Sequence, residues 1–327
     1  MLSRTVILSL LLCSSGLSLS SCSLGSAKPQ PLRSWCERKL AASQLAGFVE
    51  TIEAEFPFTS HIQDATASTA NAHSQHSSHS TTAISSDGSR VEILLLTPKT
   101  MKALVLFTSN GDRVESTPLS IPGATLLLQN EIGVAVAHTR AAGVSRAGGA
   151  SQTHAVADLI EAARTVQALG FSSPRNLFLR AAGSGGWIVT SAALARPELF
   201  RGLVLESPLL DLETVATDKT LSLHPHYLEA WGTSRARLKE LSPMEETTDF
   251  LPLDVMLITS LEDHSPPALG NFEWLRRTVC KHPELRSVFT LTSVKPVVSD
   301  RELSATTARG IDIREVSFVL ATIRRPL

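Results

Sequence analysis

The chain has 327 residues, 43% of them apolar and 19% charged, which is enough for one large globular domain with further sequence beside it. Its 30 Lys and Arg balance 31 Asp and Glu, and no basic stripe interleaved with aromatic residues occurs, so nucleic-acid binding is not expected. No segment approaches the roughly 20 apolar residues that a membrane crossing needs, so no transmembrane span is expected.

Met1 to Arg4, the apolar run Val6 to Cys13 and a Ser/Gly-rich stretch to Ser26 have the layout of a cleaved secretory signal over residues 1–26. Leu19-Ser-Ser-Cys22 would also serve as a lipoprotein cleavage site. If the leader is used, the protein enters the secretory pathway or leaves the cell; otherwise it stays in the cytoplasm. Cys13 and Cys22 fall in this leader, and Cys36 and Cys280 have no CxxC spacing, so two free thiols and no zinc site are expected.

Residues 27–85 read as an extension and linker, with a short helix around Glu37 to Glu55 and a Ser/Thr/Ala/His tract from 61 to 86. His73, His76 and His79 recur every third residue there, but with no scaffold to orient them the tract is expected to be solvated rather than metal-binding. Neither a metal nor a cofactor is expected anywhere in the chain.

From Ser86 to residue 327 the pattern becomes strands alternating with helices. Strands are expected at Val91 to Leu96, Ala103 to Thr108, Gly133 to His138, Leu177 to Leu179, Leu203 to Glu206, Val255 to Thr259 and Val288 to Leu291. Helices are expected at Ala124 to Asn130, over 154–169 with Val156, Leu159, Ile160, Ala163 and Val166 on one face, at Trp187 to Ala195 and at Phe272 to Val279. A last helix aligns Ile313, Val316, Leu320 and Ile323. Such alternation implies an α/β fold, a mostly parallel sheet with helices on both faces.

Reactive groups in such sheets gather beyond the carboxyl ends of the strands, and Arg180-Ala-Ala-Gly-Ser-Gly-Gly186 lies between a strand and a helix. Ala182-x-Ser184-x-Gly186 meets the steric rule of a nucleophile elbow, in which small residues flank an exposed nucleophile. The same run also suits a tight packing turn with Ser184 as the helix N-cap.

Around this turn, Leu169-Gly-Phe-Ser-Ser-Pro174, Arg196-Pro-Glu-Leu-Phe200, Val204-Leu-Glu-Ser-Pro208-Leu-Leu-Asp211 and Glu229-Ala-Trp-Gly232 stand in order. With His138-Thr-Arg140, Ser242-Pro243, Leu257-Ile-Thr-Ser260 and the closing Glu315 to Ile323, they resemble the catalytic domain of the prolyl oligopeptidase family, the S9 serine peptidases. The prolyl endopeptidase-like branch is the nearest resemblance. It implies an α/β-hydrolase fold from about Ser86 onward and a serine hydrolase acting on short peptides or small esters. The implied triad order is Ser, Asp, His.

Aligned on the flanking motifs, the family's nucleophile falls on Gly183, with Ser184 one residue late. Its acid falls on His264, with Asp263 one residue early, and no histidine follows His282 to act as base. The family's oxyanion-hole tyrosine falls near Ser109, and the single tyrosine is Tyr227. Thr139-Arg-Ala-Ala-Gly143 stands where the family has a Gly-rich turn, and no segment resembles the family's β-propeller.

The resemblance with these replacements implies a catalytically degenerate member that binds a peptide or protein in the former active-site cleft. The alternative is an active peptidase or esterase with Ser184 as nucleophile, Asp263 as acid and a base borrowed from His264, His138 or His282. His138, ending a strand, is otherwise expected to be satisfied and packed with Arg140, and His224 and His226 to lie on the surface near Tyr227.

Overall fold

The computed structural model describes residues 76–108, 117–140, 150–217, 231, 234–243, 253–260, 270–271, 273–274, 290–292 and 315–324. The leader, the helix around residues 37–55, His73, Asp263, His264, His282, Tyr227, Cys36 and Cys280 lie outside the described residues.

Among the described residues, eight strands form one sheet in the order β1-β2-β4-β3-β5-β6-β7-β8. They are β1 (His76–Ile84), β2 (Arg90–Pro98), β3 (Ala103–Thr108), β4 (Ile132–Ala137), β5 (Leu177–Ala182), β6 (Gly202–Glu206), β7 (Asp254–Ser260) and β8 (Thr290–Thr292). β1 and β2 pair antiparallel, as do β2 and β4, and every pair from β4 to β8 is parallel.

Apolar side chains on both faces explain why the central strands read as unbroken hydrophobic runs. All six residues of β3 are buried, and successive ones serve opposite cores. Leu104 and Leu106 join one cluster, with Leu159, Ala163 and Val166 of α2 (Ala150–Ala168) and Ile188, Val189 and Ala192 of α3 (Gly185–Ala195). Ala103, Val105 and Phe107 join the other, with Leu127 and Leu128 of α1 (Ala124–Gln129) and Val316, Phe318 and Val319 of α6, the helical run over 315–323. Two shorter helices, α4 (Leu212–Thr217) and α5 (Arg235–Leu241), send Leu212 and Leu238 into the first cluster.

This is the α/β fold that the alternating pattern implies, with two differences. The sheet begins at His76, ahead of the boundary expected at 86, so residues 76–84 are a strand and not linker. An edge strand is held by its backbone pairing and needs few large apolar side chains, which is why its composition concealed it. Ala83 is buried, and His79 bonds Thr97 Oγ1 at 2.9 Å while its ring meets Phe171. His76 and His79, an odd number of residues apart on one strand, fall on opposite faces of the sheet and do not converge on one ion. Second, α2 starts at Ala150, upstream of the expected 154. Among the described residues no helix is long and apolar enough to cross a membrane.

Candidate active site

The turn joining β5 to α3 stands at the carboxyl edge of the sheet, where parallel strands deliver reactive groups. Gly183 is its vertex, with φ of +53°, a left-handed conformation that residues bearing a Cβ rarely adopt. Its N–H donates to Glu206 O of β6 at 2.9 Å, and its carbonyl accepts from Leu209 N–H at 3.0 Å, so the vertex is tied to the segment that follows β6. Ser207, between these two anchors, also has positive φ, at +41°. A Cβ built on Gly183 would meet nothing within 4 Å. The position has room for a side chain and lacks one.

Ser184, one residue on, has φ −65° and ψ −27°, so it already lies in the helical turn, and it is 9% exposed. It stands at the N-cap position expected of it, but its side chain makes no capping bond, because its backbone is helical where a capping residue is extended. With the vertex at 183, the small residues two before and two after it are Ala181 and Gly185, and not the Ala182 and Gly186 that a turn centred on Ser184 would use. Gly186 has a different duty: a Cβ there would sit 2.4 Å from Pro208 Cβ and 2.8 Å from its Cα. Gly186→Ala is therefore expected to lower the unfolding free energy by about 1–3 kcal/mol through overpacking, measurable as a lower urea midpoint. An unchanged midpoint would show that the α3–Pro208 contact yields easily.

The partners proposed for Ser184 are not assembled by the described residues. Asp263 and His264 follow β7 and lie outside them, as does His282. His138 follows β4, which β3 separates from β5, placing it two strands, or about 10 Å, from the elbow. Its Nε2 is buried and, among the described residues, has no hydrogen-bond partner, so it is not bonded to Ser184. Arg140, the residue expected to pack with it, is engaged elsewhere.

Two charged clusters border the site, and neither was anticipated. Arg140, at the exit of β4, donates through its backbone N–H and Nε to Asp158 Oδ2, each at 2.9 Å, and through Nη2 to Oδ1 at 2.6 Å. It also pairs with Asp87 and bonds Ser89 and Ser85 in the β1–β2 turn. Asp158 is fully buried in α2; burial alone would raise its carboxyl pKa, but the Arg140 bonds prevail and hold it below the usual carboxylate value. Thr108 and Thr139, at the ends of β3 and β4, share a buried hydroxyl hydrogen bond of 2.8 Å beside this cluster.

The second cluster centres on Arg180 of β5, three residues before the vertex and 5% exposed. Its Nη1 lies 3.2 Å from Glu315 Oε2 of α6 and donates to Pro122 O at 2.9 Å; Nη2 lies 3.9 Å from Glu206 Oε2. The guanidinium carbon sits 5.0 Å from the centre of the Phe107 ring. Arg201 donates to Thr322 O at 2.8 Å, so buried arginines hold both ends of α6. The sequence signals were charges in or beside apolar segments: Arg180 in Leu-Phe-Leu-Arg, Asp158 on the apolar face of α2, and Glu315, after Arg314, ahead of Val-Ser-Phe-Val-Leu.

Residues 144–286 match the family model described as the prolyl oligopeptidase family, a span that includes the elbow and both segments anchored to it. Over this span the chain is similar to the prolyl oligopeptidase family. Its similarity to the rat (Rattus norvegicus) protein called prolyl endopeptidase-like is 39% identity over 77 residues, which is 24% of this chain and 11% of that protein. The human (Homo sapiens) protein of the same name is 38% identical over the same length. The match thus spans about a tenth of these curated relatives.

Among solved structures, a post-proline cleaving enzyme from Rickettsia typhi superposes with a TM-score of 0.63 at 19% identity, covering 80% of this chain and 40% of that one. Oligopeptidase B from Trypanosoma brucei, solved with covalently bound antipain, gives a TM-score of 0.62 at 19% identity, over 78% and 38% of the two chains. These likenesses show that the chain has the α/β-hydrolase fold of these neighbours.

Proposed function

We propose that this prolyl oligopeptidase-family domain binds a peptide segment in the former active-site cleft without cleaving it. The observation that carries this reading is the glycine at the vertex of the elbow: the backbone takes the left-handed turn at Gly183, and no nucleophilic atom stands there. Ser184 sits behind the vertex in the first turn of α3, and no described histidine bonds it. A serine hydroxyl without a base in hydrogen-bond reach stays protonated and weakly nucleophilic near neutral pH. Members of a triad act as a unit, so a serine deprived of its base keeps little of the unit's rate. What supports binding is the elbow tied by backbone hydrogen bonds to the segment after β6, with the amino end of α3 beside it.

The test uses the full chain. Hydrolysis of a p-nitrophenyl ester and of a proline-containing fluorogenic peptide is expected to stay at the buffer rate, with no fluorophosphonate adduct, and Ser184→Ala is expected to change nothing. Anisotropy of a fluorescein-labelled proline-containing peptide should rise on titration with the protein. Turnover and labelling that vanish in Ser184→Ala would overturn the reading and establish a displaced serine nucleophile.

A further inference from the structure

The outer edge of the sheet lacks the devices that normally prevent pairing with another strand. β1 is the terminal strand, and all nine of its residues pair with β2 in one unbroken register, His76 opposite Pro98 through Ile84 opposite Arg90. Among the described residues no strand pairs with its other side. An antiparallel strand directs about half of its N–H and C=O groups away from its single neighbour. Edges are usually blunted by lysine, proline, a bulge or shortness. The β1 sequence, His-Ser-Ser-His-Ser-Thr-Thr-Ala-Ile, contains no Lys, Arg, Asp, Glu, Pro or Gly, and its register with β2 has no bulge.

We propose that two copies of this chain join through β1, antiparallel and edge to edge, about a two-fold axis at Ser80, so that the two eight-stranded sheets become continuous. Self-pairing satisfies the same row of backbone groups on both partners at once, as an isologous interface requires. With the axis at the middle residue, Ser80 faces its own copy, Ser78 faces Thr82 of the second copy, and His79 faces Thr81. These are small or β-branched side chains that suit cross-strand contact, and no like charges oppose one another near neutral pH. Ser78 and Ser80 are exposed, and so is Ile84, at 56%, whose apolar surface would be covered by His76 of the second copy. A foreign extended peptide would find the same backbone groups, but along β1 no charged side chain is present to select one; the neutral, hydroxyl-rich strand matches itself. The inference is independent of what occupies the cleft.

Sedimentation velocity on the full chain tests it. The unsubstituted protein should show a monomer–dimer equilibrium that shifts to dimer as concentration rises. Ser80→Lys and Ser80→Glu should each be monomeric at concentrations where the unsubstituted protein is dimeric, because each places like charges directly opposite one another across the axis. An equimolar mixture of the two should recover the dimer. Unaltered circular dichroism would show that the fold is kept. A protein that is monomeric at every concentration would overturn the proposal, as would a dimer that survives both substitutions. A monomer that takes up an added Ser/Thr-rich peptide would also overturn it, in favour of strand addition by a peptide.

Discussion

Arg180→Ala is expected to lower the unfolding free energy by about 3–5 kcal/mol, the range found when one partner of a buried ion pair is removed. Glu315 is fully buried, and its carboxylate would lose the guanidinium 3.2 Å away. The same change removes a donor to Pro122 O and the cation over the Phe107 ring, so it loosens β5, α6 and the segment between β3 and α1 together. Urea unfolding followed by tryptophan fluorescence would measure it. The double variant Arg180→Met, Glu315→Leu should recover most of the loss, since apolar side chains of similar volume can replace a buried pair at little cost. A single variant as stable as the parent would show that the pair is dispensable for α6.

Asp158→Ala is expected to cost about 2–3 kcal/mol, somewhat less, because Arg140 is partly exposed and keeps its contact with Asp87. Three donors of Arg140 would lose their acceptor at the exit of β4. This residue also predicts a pH dependence. Its folded carboxyl pKa is lowered, so the folded state binds fewer protons than the unfolded one as pH falls. Its stabilising contribution is therefore complete above the unfolded carboxylate pKa of about 4 and is lost as pH drops through the lower folded value. Denaturant midpoints measured from pH 7 down to about pH 2 should fall on the acid side in the parent. In Asp158→Asn that fall should be shallower. Parallel acid limbs in the two proteins would show that other carboxylates govern it.

The parts of the fold that were legible were those whose side chains carry the information. β3, β4 and β6 appear in the sequence as apolar runs because both faces of a central strand are buried, and α2 shows its face through Leu159, Ala163 and Val166. β1 was concealed because an edge strand of Ser, Thr and His is specified by backbone pairing with Arg90–Pro98 and not by hydrophobicity. At the site, the small residues from Ala181 to Gly186 located the elbow, but composition could not select its vertex: Gly183 and Ser184 differ by their backbone angles. Arg140 with Asp158, and Arg180 with Glu315, escaped notice for a related reason. Each charge was visible in an apolar context, but its partner lies on another element far along the chain, and only the tertiary arrangement joins them.

The vertex at Gly183 also bears on how such a domain changes over generations. At φ +53° an L-residue bears roughly 1–2 kcal/mol of steric strain, and glycine bears none. A hydrolase that keeps serine at this corner is under tension there, so exchanging it for glycine relaxes the folded protein as it abolishes the chemistry. Once cleavage is no longer under selection, conformational stability favours the glycine. In such a lineage, restoring serine at this corner would proceed uphill, because the strain returns with the side chain.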